Sequence, residues 1–112
     1  MVKFIESLML ENKLREFTKS DFYMYGCELF QDGSRPLIYS SDNYDIVVCS
    51  ACGPNEEESN KCEVLIEDDM HEYYKEFKTK KGAVKYAETI INQIGKYDSV
   101  SDAALALDFK LR

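Results

Sequence analysis

The four cysteines, Cys27, Cys49, Cys52 and Cys62, are the residues whose type and spacing most directly suggest chemistry. Cys49-Ser50-Ala51-Cys52 is a C-x-x-C pair, the spacing by which one knuckle gives two thiolates to zinc. Cys27, Cys62 or His71 would complete a tetrahedral set. The sequence has no second paired knuckle. Residues three apart on an unbroken strand also point to opposite faces. Cys49 and Cys52 therefore converge only if the strand ends near Ala51 and Gly53-Pro54 turns the chain. A bound zinc is the alternative expectation, and the leading reading assigns no cofactor. A thioredoxin-like pair is disfavoured, because its nucleophilic thiolate sits at a helix N-terminus. Here Gly53-Pro54 and the carboxylates of Glu56, Glu57 and Glu58 follow the pair, and nearby negative charge raises a thiol pKa.

His71 is the single histidine and lies beside Asp68, Asp69 and Glu72, which reads as a solvated residue. A Ser-His-Asp constellation assembles in space, so sequence order leaves it open. There is, however, no Gly-x-Ser-x-Gly elbow, His-Glu-x-x-His, phosphate loop or dinucleotide fingerprint. Asp68-Asp69 offers oxygens to a hard cation but lies in no EF-hand loop. The expectation is a chain that is not an enzyme, with no catalytic residue. Lys78, Lys80, Lys81 and Lys85 form a small basic patch near a helix start. It reads as a solvated helix end or as an anion or RNA contact.

Charge is the feature with the strongest pattern. Residues 42–76 hold eleven acids, from Asp42 to Glu76, and only Lys61 and Lys75 as bases, a net −9. The remainder holds twelve bases and ten acids, a net +2. Such a field repels nucleic acid and attracts basic surfaces. The chain has eight tyrosines and no tryptophan, and tyrosine among acids suits a protein-binding surface as well as ordinary two-sided sheet packing.

These residues need elements to position them. At 112 residues, with 45% hydrophobic and 31% charged residues, the chain suits one globular domain, 1–112. No stretch reaches the roughly 20 apolar residues of a membrane span. Glu6 and Ser7 interrupt the N-terminal apolar stretch, which argues against a signal peptide. The reading places the protein in the cytosol, or in a host cytosol if a phage or plasmid encodes it, with reduced thiols. The pattern predicts an N-terminal helix over 2–17 and an aromatic strand over 22–31 containing a Gly26 bulge. Further strands are expected from Leu37, over 44–51, over 61–67 and over 70–77. A helix over 80–94 follows, capped by Thr79 and closed by Gly95 as C′ residue. A short helix after Ser99 completes an α+β fold with an antiparallel meander of about four to five strands.

The leading expectation is a non-enzymatic, acidic protein-binding module. It would occupy a basic groove of a partner that otherwise holds nucleic acid, with carboxylates in place of phosphates. Asp45, Glu56, Glu57, Glu58, Glu67, Asp68, Asp69, Glu72, Tyr73 and Tyr74 would make the contact, without direct nucleic-acid or membrane binding. In size and charge the chain is similar to some anti-CRISPR and other anti-defence inhibitors of phages and mobile elements, a likeness of composition that no motif carries. The alternative is a structural or regulatory domain of a larger assembly, with zinc on Cys49, Cys52, Cys62 and Cys27. A third is a small enzyme whose site forms only in the fold.

Overall fold

The computed structural model describes residues 13–50 and 62–112. The architecture is α+β, with six antiparallel strands and three helices among the described residues. The strands are β1 (Arg15–Glu16), β2 (Leu37–Ser40), β3 (Asp45–Ser50), β4 (Cys62–Glu67), β5 (Glu72–Phe77) and β6 (Lys110–Leu111). They lie side by side in chain order. Helix α1 (Lys19–Tyr25) separates β1 from β2, while α2 (Lys80–Ile94) and α3 (Val100–Ala106) connect β5 to β6.

The sheet is buried on both faces, by different material. On one face Ile46, Val48, Val64 and Ile66 meet Ala83, Ala87, Ile90 and Ile94 of α2 and Ala103 and Ala104 of α3. The i, i+4, i+7 and i+11 spacing from Ala83 to Ile94 puts these side chains on one stripe of α2. Its alanines let the helix backbone lie close to the sheet. On the opposite face Ile38, Val47, Cys49 and Leu65 pack with Phe17, and Phe22, Tyr25, Cys27 and Tyr74 lie against that cluster. The run from Ile46 to Cys49 is apolar at every position because both faces are covered, as expected of a central strand.

Two expected elements are corrected. The part of the predicted helix over 2–17 that precedes residue 13 lies outside the described residues. Arg15–Glu16 is a strand, with Arg15 opposite Ile38 and Glu16 opposite Leu37. Leu14 packs toward the helix-covered face and Phe17 toward the other, a reversal over three residues that extended backbone makes and a helical stripe does not. The predicted strand over 22–31 begins as helix. Thr18 and Asp21 form a capping box: Thr18 Oγ1 accepts from the Asp21 N–H, and the Asp21 carboxylate accepts from the Thr18 N–H at 2.8 Å. Gly26 then ends α1 in the left-handed conformation, φ 63°, donating its N–H to Phe22 O, so it is a helix cap rather than a bulge. A strong local cap outweighs the strand preference of Phe22, Tyr23 and Tyr25.

The second half follows expectation more closely. Thr79 caps α2 by accepting from the Gly82 N–H at 3.1 Å, and Ser99 caps α3 by accepting from the Asp102 N–H at 3.0 Å. Gly95 departs from expectation by keeping right-handed geometry, φ −63°. The left-handed residue is instead Asp108, φ 66°, two residues beyond α3. It redirects the chain so that Phe109 is buried and β6 pairs with β5, closing the sheet with a strand that sequence reasoning missed.

Candidate functional site

Strand register concentrates the negative charge on one face. Asp45, Glu63, Glu67, Glu72 and Glu76 alternate with Val47, Leu65 and Tyr74 along β3, β4 and β5, on the face away from α2 and α3. Asp45 lies directly across from Glu67, Glu67 across from Glu72, and Glu63 across from Glu76. Like charges directly opposite each other destabilise a sheet. Period-2 alternation on adjacent antiparallel strands creates these pairings, and no single strand's sequence reveals them.

Part of this charge is compensated within the chain. Arg112 reaches back from the end of the sheet to pair with Glu63 and, at 3.4 Å, with Glu72. Its backbone N–H also donates to Glu72 O at 2.8 Å. The guanidinium lies 4.4 Å from the centre of the Tyr74 ring, a cation–π arrangement. Glu63 is 2% exposed, so the carboxylate end of this ion pair is buried while Arg112 stays partly exposed. At the other end the Tyr25 hydroxyl donates to Asp45, and burial together with that carboxylate pushes the phenol pKa up.

The charge at that end is not fully compensated. The β2–β3 and β4–β5 turns and the end of α1 enclose a cleft of about 350 Å³ lined by Asp42, Asp45, Glu67, Asp68 and Asp69, with Tyr25, Tyr44 and Met24. Among the described residues no lysine or arginine lines it. Glu67 Oε2 is buried and has no hydrogen-bond partner among the described residues. Burial first, and then the charges of Glu72, Asp45 and Asp68, push the Glu67 carboxyl above its ordinary pKa. Next to the cleft Tyr23 is 95%, Met24 73% and Met70 83% exposed, a considerable apolar surface at the edge of a charged site.

Of the expected contact residues, the fold gathers Asp45, Glu67, Asp68 and Asp69 here, with Glu72 alongside in the same cross-strand row. Glu56, Glu57 and Glu58 lie outside the described residues. Tyr73 is corrected: it points to the helix-covered face, is 6% exposed, and its hydroxyl shares a hydrogen bond with Ser101 Oγ at 2.7 Å. Tyr74 lies on the acidic face beneath Arg112. Sequence reasoning missed Asp42, Tyr25, Met24 and Arg112; for Tyr25 and Met24 the Thr18–Asp21 capping box was the available signal.

Comparison with protein-family models, with curated proteins and with solved structures finds no match for the chain.

The cysteines fall on two sides of the sheet. Cys49 packs on the acidic face with Cys27, whereas Cys62, opposite Ser50, belongs to the helix-covered core. Cys52 lies outside the described residues. Cys62 is therefore not brought together with Cys27 and Cys49, so the three described cysteines of the expected zinc set do not meet at one site. His71 sits at the β4–β5 turn with Nδ1 3.7 Å from Asp68 Oδ1. The basic patch is partly used internally: Lys80 donates to Ser34 Oγ at 2.6 Å and lies 4.5 Å from the centre of the Phe30 ring. No described helix is long and apolar enough to cross a membrane.

Proposed function

We propose that the chain is a non-enzymatic protein-binding module whose acidic cleft receives a cationic segment of a partner protein. The reading is carried by the buried Glu67 carboxylate oxygen, which among the described residues has no hydrogen-bond partner and lies in a cleft lined by carboxylates and no base. Mutual repulsion among Asp45, Glu67, Asp68 and Glu72 is present before any partner arrives. A guanidinium or ammonium group entering the cleft would relieve it, so electrostatic complementarity favours a Lys/Arg-bearing ligand over a neutral or anionic one. Exposed Tyr23, Met24 and Met70 supply apolar contact beside the charged centre, the combination found at interface hot spots. A partner whose basic groove otherwise holds nucleic acid fits this chemistry, with carboxylates taking the place of phosphates. An inhibitor encoded by a phage or mobile element is one setting in which such a module would act, inside a host cytoplasm.

The test is calorimetric titration with an arginine-rich peptide and, as control, its length-matched acidic counterpart, at two salt concentrations. The basic peptide should bind, and more weakly at high salt, because exposed charges are screened over about 10 Å at 0.1 M. Asp42→Lys and Asp69→Lys, both at exposed turn positions, should weaken that binding while leaving the fold intact. Equal binding by wild type and both variants would remove the cleft as the site. Binding of the acidic control peptide instead, lost on reversal of Lys81 and Lys85, would move the site to α2.

A further inference from the structure

The acidic face also carries a pair of cysteines. Cys27 follows the left-handed Gly26 that ends α1, and its side chain packs against the cluster containing Cys49. Among the described residues that cluster has only five buried members, so Cys27 and Cys49 share one small apolar patch on this face. Neither is in a disulfide, and they differ in access: Cys27 is half-buried, Cys49 is 4% exposed. Cys62 is on the other face of the sheet. Arg112 lies within electrostatic reach of Cys49.

We propose that Cys27 and Cys49 are a redox-active dithiol that a small disulfide oxidant, such as glutathione disulfide, converts to an intramolecular Cys27–Cys49 disulfide. Cys27 is the entry thiol because oxidant can reach it, and Cys49 is the resolving thiol because it lies in the cluster against which Cys27 packs but is shielded from solvent. The hydrogen bond from Cys49 also lowers the Cys27 pKa, against the opposing effects of burial and of Glu72, Glu63 and Glu67, which favours the attacking thiolate. In the first step the Cys27 thiolate attacks one sulfur of glutathione disulfide. A Cys27–glutathione bond forms, the glutathione disulfide bond breaks, and the departing thiolate takes up the proton lost by Cys27. In the second step Cys49 gives up its proton and attacks the Cys27 sulfur. The Cys27–Cys49 bond forms, and the second glutathione leaves as thiolate and is protonated. Two protein thiols are oxidised and one glutathione disulfide is reduced to two glutathiones.

The bond would tie the segment that leaves α1 to the central strand β3. It therefore fixes the helix bearing Tyr23 and Met24 against the sheet. Cross-linking residues 27 and 49 also closes a loop in the unfolded chain, which stabilises the oxidised fold.

The experiment exposes the full 112-residue chain to glutathione buffers of increasing disulfide fraction, quenches in acid, alkylates under denaturing conditions, and maps peptides without reduction. The first disulfide formed should join Cys27 to Cys49, leaving two of the four thiols open to alkylation. The oxidised chain should unfold at a higher urea concentration than the reduced one. Cys27→Ser and Cys49→Ser should each abolish the bond and the shift, while Cys62→Ser and Cys52→Ser retain both. A first disulfide joining Cys49 to Cys52, glutathione adducts without an internal bond, or four alkylated thiols at the highest disulfide fraction would each overturn the proposal. Wild-type mapping decides the matter even if a serine variant fails to fold.

Discussion

The two faces of the sheet show what different kinds of burial achieve. The helix-covered face is closed by aliphatic side chains, with Ala83, Ala87, Ile90, Ala103 and Ala104 fully inaccessible. Its stability comes from apolar area, at roughly 1.5–3 kcal/mol for each large side chain fully removed from water. The opposite face is equally central but contains Glu63 at 2% exposure, a short helix as partial cover, and three carboxylates in one cross-strand row. There a modest apolar cluster has to offset desolvated and mutually repelling charge. A sheet that only needed to fold would not be improved by this second arrangement. The difference places apolar stabilisation on one face and charge that costs stability on the other.

The largest expected effect tests the helix-covered face. Ile90→Ala removes a fully buried side chain from the contact between α2 and the sheet, and should cost about 2–5 kcal/mol in urea unfolding. A cost below 1 kcal/mol would mean that α2 is not a main support of the fold. The next effect probes the other face. Arg112→Ala leaves the Glu63 carboxylate without its guanidinium, and should cost about 2 kcal/mol, toward the lower end for a buried pair because Arg112 is itself partly exposed. The double variant Arg112→Met with Glu63→Leu should recover most of that loss, since apolar replacement of a buried pair is often neutral. Failure to recover would show that the pair specifies the packing of this face.

The two faces also differed in how far the sequence foretold them. The α2 stripe, the Thr79 and Ser99 caps and strands β2 to β5 were legible, because periodicity and capping act over a few residues. The acidic cluster was legible as composition: Asp45, Glu67, Asp68 and Asp69 were singled out, and they meet in one cleft. What stayed hidden depended on pairing between distant segments. The burial of Tyr73, the Asp45–Glu67–Glu72 row and the return of Arg112 to Glu63 all follow from strand register, and β6 has only two residues. The α1 helix was hidden for a different reason: its aromatics suggest a strand, and only the Thr18–Asp21 box contradicts them.

That box gives the third expected effect, a smaller one. The Arg15 guanidinium, 2.6 Å from Asp21, holds the Asp21 carboxyl at about 2, assisted by the Thr18 N–H and hydroxyl and opposed by burial. A depressed carboxylate pKa stabilises the fold above the ordinary aspartate range, and the contribution is lost as pH falls toward the folded value. Asp21→Asn should therefore cost about 1 kcal/mol at pH 7, the size of a helix cap. The gap between variant and wild type should close as pH drops from about 4 to about 2. A gap that persists at the lowest pH would place the effect in side-chain shape rather than charge.

The smallest effect has the opposite sign and bears on the cleft directly. Glu67 has a raised carboxyl pKa, chiefly from burial and then from Glu72, Asp45 and Asp68, with the Tyr25 hydroxyl nearby on Asp45. A raised pKa means that the folded chain holds the proton more tightly than the unfolded one. The associated stability is fully present below the ordinary glutamate range and is lost as pH rises through the folded value. At pH 7 an ionised Glu67 thus weakens the fold. Glu67→Gln, which resembles the protonated side chain, should raise the urea midpoint at pH 7, and the gain should vanish once pH falls below about 4. The same substitution should weaken binding of a basic peptide, because it removes a charge that a cation would stabilise. A variant more stable at neutral pH and poorer at binding would mark Glu67 as a group kept for interaction at the expense of folding. A variant less stable at pH 7 would show that the carboxylate is already satisfied within the chain, and would take away the observation on which the binding proposal rests.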